Sequence, residues 1–294
     1  SIENSEVVGG HRVAANRHNK DYLYRTFPEF GLDPPKELKW KIVLLCTDEN
    51  TYMEQCNPWK ERGNCEIINI TVKDDFTSDN GYGKIRDLIL GGDKVVVFAS
   101  FPCTGGCRWN VEINSQDPRC WPKLQAHWSL FNKLLKNFER LFQECGNFNL
   151  IFEWPRGTTY WQEGRVRKLF KGMNMVYAEF DGCQMGLHAK PKAGEDNSRI
   201  YLNKPWRFAT NIPEVLPEFS LKCPGQDETH WHRTVRGENA IWSQYYTPYI
   251  CTVIHLCIYR FFLSERPNIS ITGERIKDTS SYARYSEADD VNVV

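Results

Sequence analysis

Two side chains stand out for the chemistry they could do together, Cys103 and Glu153. Cys103 lies in Val95-Val-Val-Phe-Ala-Ser-Phe-Pro-Cys-Thr-Gly-Gly-Cys107, where an apolar run breaks into a Ser-Phe-Pro-Cys turn. Glu153 lies in Asn149-Leu-Ile-Phe-Glu-Trp-Pro155, again an apolar run that ends in a polar residue and a proline. A thiol beside a carboxyl acid is a working pair for attack on an electron-poor ring. The sulfur adds to a ring carbon while the acid protonates a ring nitrogen. A neutral thiol is a poor nucleophile, so a cation should stand nearby, with Arg108, Arg156 and Arg207 as the candidates. Gly105 and Gly106 follow the cysteine and would let a ligand approach the backbone.

A second group has metal-ligand chemistry. Cys223, His230 and His232 follow one another at short spacings, with Cys183, Cys251, His255 and Cys257 elsewhere in the chain. Zinc takes four N/S ligands in a tetrahedron, so these residues make a structural zinc a candidate for pinning the irregular stretch 181–235. His255 and Cys257 fall on an apolar helical stretch and read as core. A zinc nucleobase deaminase would also use a Pro-Cys-x-x-x-Cys unit, but it needs His-x-Glu upstream. The upstream histidines, His11 and His18, lack a glutamate two residues on.

The elements that must position these residues alternate between strand and helix. Apolar runs predict strands over 41–46, 65–71, 93–100, 149–152 and 173–180. Helices are expected over 51–62, 82–90, 121–145 and 161–172, and after Thr247-Pro248. In the helix over 121–145, Leu124, Trp128, Phe131, Leu134, Leu135, Phe138, Leu141 and Phe142 repeat with a period of about 3.6 residues, the mark of a helix laid on a sheet. The alternation predicts a doubly wound α/β domain with a largely parallel sheet and a small irregular insertion. Ligands of such sheets sit beyond the carboxyl ends of the strands, where Cys103 and Glu153 would emerge together. The chain divides into an arm (1–38), the core (39–180), the irregular region (181–235), a returning helix (236–263) and a mobile polar tail (264–294).

Composition narrows the partners. Lys+Arg and Asp+Glu balance at 37 each, so nucleic-acid binding would rest on a local patch and not on bulk charge. No stretch reaches the about 18 apolar residues of a membrane span. The amino terminus does not read as a signal peptide, and the eleven cysteines follow no disulfide framework. They are expected to be reduced thiols in a cytoplasmic or nuclear setting.

The order of these blocks resembles the cytosine-5 branch of the class I S-adenosylmethionine-dependent methyltransferases. The matching pieces are Leu45 to Asn50, Pro102-Cys103, Glu153-Trp-Pro155, Asp181-Gly-Cys-Gln184, Gly237-Glu-Asn239 and Tyr246-Thr-Pro248. The chain also resembles reading frames of retroelement or virus-like polyproteins, through Phe101-Pro-Cys-Thr104, Glu153-Trp-Pro155, Asp181-Gly-Cys-Gln-Met-Gly-Leu187 and Lys204-Pro-Trp-Arg207.

The methyltransferase resemblance implies a Rossmann-like fold and base methylation. Cys103 would be the nucleophile, Glu153 the acid on the ring nitrogen, and Arg207 a holder of phosphate or base. S-adenosylmethionine would lie against Cys46 and Pro102, with Asp48, Glu49, Asp74 and Asp75 as candidates for its ribose and adenine. The partner implied is nucleic acid, single-stranded DNA or RNA in preference to a duplex, because no large recognition domain is present. Two departures stand out. Thr47-Asp-Glu-Asn50 holds no glycine where the family has a glycine-rich loop, and Glu-Trp-Pro replaces Glu-Asn-Val. Amino-group methylation is one alternative. A non-catalytic module that binds through Trp109, Trp121, Trp154, Trp161, Trp206 and Trp231 is the other.

Overall fold

The computed structural model describes residues 34–47, 51–92 and 94–264. Most of the amino-terminal arm and the tail from 265 onward lie outside the described residues, as do Asp48 and Glu49. The described chain is an α/β domain on a six-stranded, mostly parallel mixed sheet. The first strands are β1 (Trp40–Leu45), β2 (Cys65–Ile70), β3 (Val95–Ala99) and β4 (Asn149–Pro155). They lie in the order β2-β1-β3-β4 and all run parallel. The other members are β5 (Val176–Asp181) and β7 (Pro205–Thr210). β7 is inserted between β4 and β5 and is antiparallel to both. Two short strands, β6 (Ile200–Leu202) and β8 (Trp231–Arg233), form a separate parallel pair.

Seven helices occur among the described residues: α1 (Asp79–Leu90), α2 (Arg108–Glu112), α3 (Trp121–Cys145), α4 (Gly164–Gly172), α5 (Val215–Glu218), α6 (Glu238–Trp242) and α7 (Pro248–Ser264). The two sheet faces carry different cores. On one, Val97, Ala99, Phe152 and Trp154 pack with Ile85 of α1, Phe138 of α3 and Phe170 of α4. On the other, Val96, Phe98, Ile151 and Phe208 pack with α7 and with Met53 and Trp59. Both faces are covered at the central strands β1, β3 and β4, which is why these are largely apolar instead of alternating.

Two expectations differ from what is seen. The stretch 51–62 forms turns and no helix. Pro58 lacks an N–H, and the Asn57 side chain accepts from the Trp59 N–H (3.0 Å) while donating to the Cys65 carbonyl (3.1 Å). The side chain thereby takes over bonds that a helix would make. The second difference is β7, a full member of the main sheet that comes from the stretch expected to be irregular.

Candidate functional site

The parallel register carries β1, β3 and β4 to a common carboxyl edge, with Leu45 paired to Ala99 and Ala99 paired to Phe152. Cys103 and Glu153 both line one cavity of about 400 Å³ at that edge. Cys46, Thr47, Thr51, Pro102, Lys204 and Tyr246 line it as well. A second pocket of about 400 Å³ opens beside it at the end of β2, lined by Thr71, Asp75, Phe76 and Thr77. Cys46, Thr47 and Pro102 belong to both. Tyr52 and Trp59 fill neither: Trp59 is buried against Trp40, and Tyr52 lines a third and larger pocket of about 710 Å³.

Glu153 is held in an acid's geometry. It is 4% exposed. Its Oε2 accepts from the Tyr246 hydroxyl (2.6 Å) and from the Ser100 hydroxyl (2.7 Å). Its Oε1 is buried and has no hydrogen-bond partner among the described residues. Burial raises the carboxyl above its ordinary range, against the opposing pull of Lys204 and the two hydroxyls. With Oε2 already accepting twice, Oε1 is the oxygen left free to carry a proton.

Cys103 is partly exposed. Burial, and secondarily the charge of Glu153, push its thiol up to about 11, while Lys204 pulls it down. The cation facing the thiol is therefore Lys204 and none of the three arginines. Lys204 immediately precedes β7, and because that strand is antiparallel its first residue lies at the edge where the parallel strands end. Lys204 is half-buried, and its ammonium donates to the Ser243 carbonyl (2.7 Å). Its pKa is lowered by that burial, while Glu153 and Cys103 oppose the shift.

Arg207 is placed elsewhere, for a reason of register. Trp154 pairs with Arg207, and Glu153 pairs with Phe208, so Arg207 and Glu153 lie on opposite faces of the sheet. Arg207 bonds Glu179 (2.8 Å through Nε) and lies over the Trp161 and Tyr177 rings. Arg156 approaches Glu179 and Asp181 at 3.8 Å. Of the four acids expected at a cofactor, Asp75 lines the second pocket, with its Oδ1 accepting from Thr77 (2.6 Å to the hydroxyl). Asp74 instead binds Lys84 (2.7 Å) and caps the Thr71 N–H (2.9 Å).

The glycines also have a different role from the one expected. A Cβ on Gly105 would strike the Tyr160 hydroxyl, and one on Gly106 would lie 2.5 Å from Thr158 Oγ1. Packing under Tyr160 is by itself enough to require them. Cys46 adopts a φ of 58°, the left-handed conformation that a glycine would take without strain. Three of the tryptophans considered for base stacking, Trp154, Trp161 and Trp206, are buried in the core, while Trp109, Trp121 and Trp231 are exposed.

The second cluster is more complete than its spacing suggested. Cys183 joins Cys223, His230 and His232, and one ligand atom from each lies within 4.8 Å of the others, a group that could hold a metal ion. Cys223 Sγ is 3.7 Å from His230 Nε2 and 3.5 Å from His232 Nε2. Zinc bonds of ~2.3 Å to sulfur and ~2.0 Å to nitrogen set tetrahedral edges of ~3.5 Å between sulfur and nitrogen and ~3.3 Å between two nitrogens, so both Cys223–histidine separations match the ion. The two His Nε2 atoms lie 2.9 Å apart. Cys183 is delivered by the turn after β5, which holds it next to Cys223 through a bond from the Cys223 N–H to Asp181 Oδ2 (2.9 Å).

The cavity residues that sequence reasoning missed are Lys204, Tyr246 and Ser100; Cys183 was named beside the zinc candidates but not singled out as the fourth ligand. Lys204 and Tyr246 stood in quoted blocks, but only the antiparallel β7 and the return of α7 bring them to Glu153. Among the described residues no helix is long and apolar enough to cross a membrane. We find no protein-family model that matches the chain, and no curated protein that matches it.

Proposed function

We propose that this chain is a Rossmann-like, S-adenosylmethionine-dependent methyltransferase acting on carbon-5 of cytosine in single-stranded or unpaired nucleic acid. The observation that carries the reading is the pairing of Glu153 and Cys103 in one cavity, with Oε1 of the buried acid left without a protein partner. The second pocket, which shares the Cys46–Thr47 and Pro102 wall, suits the cofactor. Asp75, Thr71 and Thr77 offer polar contacts there, and Val72, Phe76 and Leu134 an apolar wall. The cofactor supplies an electrophilic methyl group.

The chain's own residues do the rest. The Cys103 thiolate forms a bond to carbon-6 as Glu153 Oε1 gives its proton to the ring nitrogen, which leaves carbon-5 nucleophilic. Lys204 offsets the sulfur's negative charge before attack. Tyr246 and Ser100 hold Oε2 so that the carboxyl presents its other oxygen to the base. After methyl transfer a solvent water takes the carbon-5 proton, the released electron pair re-forms the carbon-5–carbon-6 double bond and expels the sulfur as thiolate, and the ring nitrogen returns its proton to Glu153. The base must be unpaired or flipped to reach the cavity. A zinc ion in the Cys183/Cys223/His230/His232 cluster has a structural role in this reading, because all four positions are filled by the chain.

The test is a fluorocytosine oligonucleotide incubated with the protein and the cofactor. A covalent adduct that survives denaturation and is lost in Cys103→Ala is expected. Full methyl transfer by Cys103→Ala would overturn the cytosine reading in favour of an amino-group acceptor. An absence of heat on calorimetric titration with the cofactor would favour a non-catalytic module.

A further inference from the structure

We infer that the metal centre is the support of Lys204, so that occupancy of the Cys/His cluster and placement of the cavity's cation are linked. Two separate routes join them. The first runs through Gly182, the chain neighbour of the ligand Cys183. Its N–H donates to the Lys204 carbonyl (2.8 Å). A Cβ on Gly182 would lie 2.9 Å from both Leu187 and Trp206 and 3.2 Å from the Lys204 oxygen, so this peptide is pressed against the lysine's own backbone.

The second route runs through β8, which carries the ligands His230 and His232 around and within it. β8 pairs with β6, with His232 opposite Tyr201, and the Tyr201 ring stacks on His230 at 4.3 Å. β6 ends at Leu202, two residues before Lys204. The Leu202 N–H donates to the Leu187 carbonyl (2.8 Å), and the Leu187 N–H returns to the Gly182 carbonyl (2.9 Å). The corner from Leu202 to Lys204 is thus gripped on both sides by segments that end in metal ligands.

These grips are weak without the ion. β6 and β8 have three residues each, and an isolated two-stranded pair is marginal in water. The four ligands come from three separated stretches with no disulfide to tie them. Metal binding therefore supplies the folding free energy of this corner. From it the Lys204 side chain reaches the Ser243 carbonyl and lines the same cavity as Glu153 and Cys103. The inference rests on the cavity being the reactive site. Its readout is thiol chemistry and not methyl transfer, so the two can fail separately.

The experiment measures zinc content, removes the ion with a chelator, restores it, and follows alkylation of Cys103 by iodoacetamide across pH. Peptide mass spectrometry separates Cys103 from Cys183 and Cys223. Chelation is expected to raise the apparent alkylation pKa of Cys103 by about one unit, a tenfold loss of thiolate at pH 8, and added zinc should reverse it. Lys204→Met should show the same rise with zinc bound, and chelation should add nothing to it. Gly182→Ala keeps all four ligands and should raise the value with zinc content unchanged, which tests the link even if the metal-free chain unfolds. Protein that takes up no zinc, a chelation shift of full size in Lys204→Met, or a zinc-loaded Gly182→Ala with an unshifted Cys103 would overturn it.

Discussion

Cys103 and Glu153 reach their cavity from the ends of two hydrogen-bonded parallel strands, whereas Cys183, Cys223, His230 and His232 come from a turn, a loop and a three-residue strand. The first group is placed by a scaffold that would stand without it. On the reading proposed above, the second is held together by the ion it would bind. The same residue type, a cysteine, should therefore be dispensable for folding in one place and indispensable in the other.

The largest effects should come from exchanging those cysteines. Cys103→Ala is expected to abolish adduct formation while leaving the melting temperature near that of the parent. Cys223→Ala should lose zinc and upwards of about 4 kcal/mol of stability, as loss of a structural metal does. Paired calorimetry and metal analysis check both. A Cys103→Ala protein that fails to fold, or a Cys223→Ala protein as stable as the parent, would remove the contrast.

Glu153→Gln sharpens the comparison from inside the cavity. It keeps the shape but removes the proton donor, so methyl transfer should fall by about 10²–10⁴-fold. The variant cannot ionise at this position, so the charge that opposes the Cys103 thiolate whenever Glu153 is deprotonated is absent and the Cys103 alkylation pKa should drop below about 11. Stability moves as well. The folded pKa of Glu153 is raised, so the acid's contribution is fully present below its unfolded pKa and is lost as pH rises. The variant should gain on the parent from acid to alkaline pH in urea unfolding.

Histidines give the next largest effect. His255 is buried, its Nε2 is 2.8 Å from the Met53 carbonyl, and burial lowers it to about 4 from 6.5. A depressed folded pKa means stability that is complete above about 6.5 and is lost as pH falls toward 4. Over that window about 3 kcal/mol should disappear. His255→Gln, compared with the parent at pH 7 and pH 4.5, should lack that part of the slope. An equal slope would place the acid sensitivity elsewhere, in carboxylates held low by cations, such as Asp74 beside Lys84 and Glu179 beside Arg207. The smallest effect is expected for Cys46→Gly, which relieves a φ of 58° worth ~1–2 kcal/mol and gives most of it back as chain entropy. A melting shift of only a few degrees should follow.

Much of this was legible in the sequence wherever a local pattern decides the outcome. The helix over 121–145 matches α3 residue for residue because its apolar period is long and unbroken. The strands before Cys103 and Glu153 were readable as apolar runs, and parallel neighbours necessarily end at one edge. Arg207 was misjudged because its face depends on the register of an antiparallel strand, which no local pattern fixes. Lys204 was missed for the same reason. Cys183 could not be tied to Cys223 without knowing that the turn after β5 and the loop after α5 meet, a contact across 40 residues of chain. The turns over 51–62 were hidden because Asn57 and Pro58 override an otherwise helical composition.

The wall of Cys46, Thr47 and Pro102 between the two pockets has a practical consequence for ligand design. Fragments found separately for each pocket would share the wall of Cys46, Thr47 and Pro102, so a short tether over that wall could join them. Tethering makes the second binding event intramolecular, at an effective concentration in the millimolar range for short flexible linkers. Two weak fragments could become one tight inhibitor with no new protein contact, and the tether would pass over a thiol that burial holds inert, at about 12.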